Sequence, residues 1–256
     1  MTTAYATPDD VRRALQEPEH PGLTGSLEET NVVPPLASIS EYVATEGRTH
    51  FFDSAGDGST LVPTEPRTAT DVVVDVPSSP HPQRGQRHHG RSDARYPVTR
   101  HGQYARVTLP HAHVRSLSSL YVRQRGHSRR CDGTSDWVAD DRRTEGRGQD
   151  YYVLQPDDKP RGRSYLYIHA PTLGPRYDYE GVLTLNYNYG ADAAAGDRWE
   201  DVRRAVAQLA VAQLAVDDDV RAAIPDSGQL IGVDTRRQAA VDDATRVLEP
   251  YLTPPR

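Results

Sequence analysis

The 256-residue chain holds one cysteine, one methionine, two tryptophans, two phenylalanines and, in Lys159, a single lysine. Cys131 alone excludes an intrachain disulfide and any zinc site built on a CxxC pair. The chain contains no run of about 18 apolar residues, which excludes a membrane-spanning helix. Lys159 has no glycine cradle before it, so no phosphate-binding loop can be written. Residues 1–10 show neither a basic region nor an apolar stretch, and no secretory leader is expected from them. The expectation is a protein made and used in solution, with no membrane partner.

The formal net charge is −6, yet nearly all the positive charge is arginine, and aspartate outnumbers glutamate more than two to one. This composition points to a GC-rich genome, in a salt-loving or an actinobacterial setting. In a salt-loving host, at about 1 M salt, screening acts within about 3 Å. Contacts would then rest on burial and short-range hydrogen bonds rather than on steering.

The chain opens and closes with helical patterns. Thr7-Pro8-Asp9-Asp10 is a helix start, with a hydroxyl N-cap, proline at the first helical position and acids at the positive end of the dipole. It predicts a helix over 9–17, ended by Pro18, Pro21 and Gly22. A second helix is predicted over 38–54, with Ile39, Tyr42, Val43, Phe51 and Phe52 as its apolar members. From 60 to 190 the pattern turns to period two, with strands predicted at 70–76, 104–109, 117–123, 151–155, 164–170 and 182–189. Tyrosine dominates this stretch, as suits a half-buried sheet face. Two polar stretches, 77–100 and 124–150, carry too few apolar residues to fold alone and read as loops.

Helix returns over 201–216, DVRRAVAQLAVAQLAV, with apolar residues on nearly every side. Such a helix belongs in a core or between subunits. A terminal amphipathic helix over 234–252 places Ala240, Val241, Ala244, Val247, Leu248 and Tyr251 on one stripe, with Pro250 in its last turn. The expected class is α+β: a small helical bundle of two N-terminal and two C-terminal helices (1–59 and 191–256) carrying a large inserted antiparallel β-domain (60–190).

In that order, YATPDDVRRAL, SISEYVATEGRTHFFDSAGDG, VTLPHAHVRSLSSLYVR, GQDYYVLQP, YEGVLTLNYNYG and WEDVRRAVAQLAVAQLA resemble the head–tail adaptor (connector, or head-completion) proteins of siphovirus-type tailed viruses. A haloarchaeal virus fits the composition. In that family an N-terminal helix precedes a longer one that ends in a glycine turn. A DYYVL strand, a strand ending in YNYG and a helix opening acid-Val-Arg-Arg-Ala-Val follow. The resemblance spans most of the chain, with gaps at the two polar stretches and a β-insert larger than in the smaller members. It implies a non-enzymatic ring of twelve copies in the virion neck, assembled in the host cytoplasm. The ring would lie between the portal and a downstream neck or tail-completion protein, with genomic DNA passing through its channel. The helical body would form the ring wall, the C-terminal segment would reach the portal, and the β-region would face downstream.

Residue by residue, the expectation is portal or neighbour contact at Val241, Val247, Leu248, Tyr251, Leu252 and Arg256, with residues 234–256 loosely held before docking. Subunit contact is expected at Val206, Leu209, Val211 and Leu214 on a helix apolar on too many faces for one copy to cover. Arginines in the polar stretches, among them Arg91, Arg95, Arg129 and Arg130, would meet DNA or an acidic partner. An alternative reading is a nucleic-acid-binding protein using these arginines. A second alternative is a metal-dependent enzyme using the histidines of 81–127, among which His111-Ala-His113 would project two imidazoles from one strand face. Zinc, however, requires three or four rigidly held ligands. Neither a cofactor nor a catalytic residue is expected: Cys131 lacks a base in its sequence context, Ser116, Ser118 and Ser119 lack a nucleophile elbow, and Asp217–Asp219 reads as a hydrated linker.

Overall fold

A computed structural model describes residues 3–15, 30–56, 58–76, 98–99, 102–122, 135–139, 143–154, 163–169, 183–197, 199–214 and 230–252. The fold is mixed α+β, with four α-helices and antiparallel sheets among these residues. They belong to two compact units, Met1–Pro66 with Gly190–Arg256, and Arg67–Tyr189.

The first unit holds helices α1 (Pro8–Leu15), α2 (Val33–Gly47), α3 (Glu200–Leu214) and α4 (Leu230–Leu252). At the start of α1 the Thr7 N–H and hydroxyl donate to Asp10 Oδ2 (both 2.8 Å), while the Asp10 N–H reaches back to Thr7 Oγ1 (3.3 Å). This is a reciprocal capping box with aspartate in the usual glutamate position. Helix α2 buries Leu36, Ser40, Val43 and Ala44, an i, i+4, i+7, i+8 stripe. It ends where Arg48 turns left-handed (φ 48°, ψ 39°) and the Thr49 N–H returns to the Ala44 carbonyl (3.2 Å).

That ending corrects the helix expected over 38–54. Phe51 and Phe52 are not its last turn; they form strand β1 (Phe51–Phe52), paired in parallel with β10 (Ala191–Asp192). In a short strand wedged between elements, both are 1% exposed. Gly190 permits the approach, since at φ +144° an added Cβ would stand 3.0 Å from the Phe52 ring. The core joins Tyr5, Val11, Leu36, Val43, Phe51, Trp199, Val202, Val206 and Leu248.

The second unit is two four-stranded sheets over one core. Their orders are β2-β9-β5-β6 and β3-β4-β8-β7, and every pairing within them is antiparallel. The strands are β2 (Arg67–Val74), β3 (Val98–Thr99), β4 (Gly102–Ala112), β5 (Val114–Val122), β6 (Ser135–Asp136), β7 (Tyr151–Leu154), β8 (Arg163–His169) and β9 (Leu183–Tyr189). Period-two alternation sends Leu183, Leu185, Tyr187 and Tyr189 of β9 inward, against Val107, Leu109, Leu120, Leu166 and Ile168. The chain passes from one sheet to the other at His113, in a left-handed conformation (φ 52°).

The stretch 124–150 is not wholly a loop. Ser135–Asp136 pairs with β5, and Trp137, 2% exposed, enters the core behind it. The Asp136 carboxylate accepts the Leu120 and Val138 N–H groups (both 3.0 Å), so one large apolar residue and one capping acid suffice to anchor a polar segment. Of 77–100, only Val98–Thr99 lies within the described residues.

Candidate functional site

Helix α3 carries the residues expected at a subunit interface, and its packing revises that expectation. Val206 and Leu214 are 0% and 4% exposed and belong to the unit's own core. Leu209 and Val211 are partly buried against it. The apolar surplus read from the sequence is absorbed by α1, α2 and α4, which pack on three sides of α3. Among the described residues the exposed large apolar side chains are Tyr42, Val73 and Leu154, none of them on α3 or α4.

Helix α4 is likewise seated. Ala244 and Leu248 are fully buried, with Val247, Tyr251 and Leu252 partly so. The Tyr251 ring meets Phe51 edge-on at 5.8 Å, and its carbonyl oxygen lies against Gly47, where an added Cβ would stand 2.9 Å away. Burial, then the neighbouring carboxylates of Asp201 and Glu200, push the Tyr251 hydroxyl above its ordinary pKa. The segment expected to be loosely held is thus docked over 244–252, because its stripe has a groove of its own chain to fill. Val241 is half-exposed, and Arg256 lies outside the described residues.

The N-terminus of α1 is tied to α3 by an ion pair absent from the sequence reading. Arg203 Nε donates to Asp10 Oδ2 at 2.6 Å, and Arg203 Nη2 reaches Thr7 Oγ1 at 3.5 Å. Burial raises the Asp10 pKa. The Thr7 N–H, the Arg203 guanidinium and the Thr7 hydroxyl outweigh it, and the carboxyl is held below its ordinary value. Local pattern marked Thr7 and Asp10; nothing in the sequence links them to a residue 193 positions away.

Beside this pair, between α1 and α3, lies a cleft of about 590 Å³ bordered by Asp10, Arg13, Ala14, Arg204, Ala207 and Gln208. Among the described residues Gln208 Oε1 has no hydrogen-bond partner. The side chains of Arg13 and Arg204, 77% and 60% exposed, pair along their own helices with Asp10 (3.1 Å) and Asp201 (3.3 Å).

In the β-unit, His111 lies at the end of β4 and His113 at the turn into β5. His113 has a left-handed backbone (φ 52°), outside regular strand geometry. His111 Nδ1 lies 2.8 Å from the Tyr187 hydroxyl, and its ring stacks on Tyr189 at 4.1 Å. Burial pushes the Tyr187 hydroxyl far above its ordinary range. No group of three or more His, Cys, Asp or Glu is placed to hold a metal among the described residues. His81, His88, His89, His101 and His127 lie outside them, as do Arg91, Arg95, Arg129, Arg130, Cys131 and Asp217–Asp219.

The outer face of the second sheet carries an aromatic group that the sequence reading left unassembled. Tyr152 and Tyr167 stack at 4.8 Å, Tyr104 meets Tyr152 edge-on at 5.3 Å, and the Arg106 guanidinium lies 4.9 Å over Tyr165. The signal lay in the alternation of β8, where Tyr165 and Tyr167 share a face, with Tyr152 of β7 and Tyr104 and Arg106 of β4 beside them. Tyr104 donates to the Gln149 carbonyl and is fully buried, so the 143–150 turn covers part of this face.

Comparison of the chain with protein-family models, with curated proteins and with solved structures returns no match.

Proposed function

We propose that this chain is a non-enzymatic head–tail adaptor of a tailed virus, forming a ring in the virion neck between the portal and the downstream neck or tail-completion protein. The supporting observation is the agreement between motif order and element type. ATPDDVRRAL forms α1, and the longer helix α2 follows it, ending in a left-handed turn at Arg48 rather than at a glycine. The DYYVL strand is β7, YNYG closes β9 at Gly190, and EDVRRAV opens α3. Both ends of the chain build one helical unit while residues 67–189 build another, which fits a ring wall bearing an inserted β-domain.

In this reading the helical unit supplies the side-to-side contacts of a closed ring of twelve, and the β-unit faces downstream. Because α4 is docked on its own protomer, the exposed side of α4 near Val241, together with the tail to Arg256, meets the portal. The mechanism is mechanical, with stacked rings of complementary shape around the DNA channel and no cofactor. Light scattering and negative-stain microscopy of the purified chain, alone and mixed with portal, test it. Annular particles that stack on the portal are expected. A monomer that binds neither portal nor neck proteins would overturn the proposal.

A further inference from the structure

The two outer faces of the β-unit carry opposite chemistry. On the β2-β9-β5-β6 sheet, Thr68, Ser116, Thr184, Asn186 and Asn188 accompany one exposed valine, Val73. That is the ordinary solvated side of an antiparallel sheet. On the β3-β4-β8-β7 sheet the outward positions are tyrosine and arginine. Arg106 lies opposite Tyr167 and Tyr167 opposite Tyr152, while Tyr165 stands between Thr108 and Leu154, the last 37% exposed. Enrichment in tyrosine and arginine is the composition of protein-binding surfaces rather than of solvated ones.

The positive charge of this face is not spent within the chain. Its four strands contain no carboxylate. Among the described residues Arg106, Arg147 and Arg163 have no carboxylate partner. Tyrosines position two of them: Arg106 rests 4.9 Å over the Tyr165 ring, and the exposed Arg147 donates to the Tyr152 hydroxyl. The adjoining turn adds Glu145 and Asp150, and Asp150 is already paired with Arg143 (3.9 Å). Three arginines therefore stand against Glu145, in a chain whose net charge is −6.

Ring exposure decides between two kinds of acidic partner. A nucleic-acid strand stacks its bases on open ring faces. Here Tyr104, Tyr152 and Tyr167 are at most 8% exposed, Tyr152 and Tyr167 lie against each other, and Arg106 takes one face of Tyr165. What the surface offers is guanidinium groups and a leucine, which suit carboxylates and an apolar side chain. Arg163 and Tyr167 are four residues apart on β8, about 13 Å of extended chain. An extended segment with acids at i and i+4 spans Arg163 and the Arg106 row.

We propose that the outer face of the β3-β4-β8-β7 sheet docks an extended acidic segment of another protein, with its carboxylates on Arg106, Arg147 and Arg163 and an apolar side chain beside Leu154. The inference deepens the adaptor reading and rests on it for the partner, which is the downstream neck or tail-completion protein.

The test titrates full-length protein against a labelled peptide of alternating glutamate and threonine with a central leucine, read by fluorescence anisotropy. The same peptide with glutamine for glutamate, and a single-stranded oligothymidylate, are the comparisons. The acidic peptide is expected to bind at least about tenfold more tightly than either. Arg147→Glu with Arg163→Glu is expected to weaken its binding by at least about tenfold while leaving the melting temperature nearly unchanged. Thr108→Glu, at an exposed position of the same face, is expected to weaken it as well and decides the matter should the double variant melt early. Equal binding of the acidic and glutamine peptides, binding of neither, or variants that bind like wild type would overturn the docking face and leave the ring reading intact. Tighter binding of oligothymidylate overturns it in favour of a nucleic acid, and loss of self-association in the variants by sedimentation velocity overturns it in favour of a second copy. If the acidic peptide binds as expected but the chain neither forms rings nor stacks on portal, the adaptor reading falls and the face stands.

Discussion

Replacing Asp10 by alanine removes two interactions at once, and their sizes can be set from the geometry. The first is the capping box, in which Asp10 accepts the Thr7 N–H and hydroxyl at 2.8 Å; losing such a cap costs about 1 kcal/mol. The second is the charge-assisted bond from Arg203 Nε at 2.6 Å, with the two side chains 11% and 27% exposed, for which about 2 kcal/mol is appropriate. The loss should therefore be about 3 kcal/mol, or roughly 10 °C for a unit of this size. The two tryptophans simplify the assay, because Trp199 belongs to the helical unit and Trp137 to the β-unit. In a Trp137→Phe background, fluorescence follows the helical unit alone during urea unfolding. A double-mutant cycle with Arg203→Leu should give a coupling above about 1 kcal/mol. The pH dependence has a definite sign. Asp10 has a lowered folded pKa, so its contribution is complete above the ordinary carboxylate range. It is lost as the pH falls from about 4 through the folded value, and Asp10→Ala should abolish that part of the acid transition. If Asp10→Ala costs under about 0.5 kcal/mol, or the cycle is additive, the α1–α3 link is not what holds the N-terminus.

Other positions give independent checks. Gly47→Val should displace the last turn of α4 from its seat and cost about 1–3 kcal/mol, seen as faster proteolysis within 244–252 than in wild type. Gly190→Ala should cost about 2 kcal/mol or more in urea unfolding, because φ +144° is strained for alanine and the new Cβ meets the Phe52 ring and the His50 carbonyl. Burial raises the pKa of Tyr104, Tyr151, Tyr152, Tyr187 and Tyr251. Stability should therefore be intact below about pH 10 and fall as the pH rises beyond it, with these rings ionising together on unfolding in a titration at 295 nm. Trp137→Ala should cost about 3–5 kcal/mol in far-UV unfolding of the β-unit, much more than expected of a residue in a surface loop.

Local pattern carried far where a single element decides its own fate. The Thr7-Pro8-Asp9-Asp10 start, the alternation of β9 and the Pro250-bearing last helix are all short-range: a cap, a period of two, a period of 3.6. Phe51 and Phe52 escape local pattern because a short strand has too few residues for a period, and its pairing partner lies about 140 residues away at Ala191–Asp192. Trp137 escapes it too, because one apolar residue among polar ones carries no periodicity although it is buried in the core of the β-unit.

The sequence by itself determined the order of the four helices and the longer strands, an α+β class and the absence of an intrachain disulfide, since these depend on composition and on neighbours within a few residues. Tertiary structure alone decided that α3 is covered by α1, α2 and α4, and that Arg203 holds Asp10. The reason is that burial and hydrogen-bond partnership belong to pairs of residues brought together through space. A helix apolar on every side looks identical in sequence whether its own chain or another copy covers it.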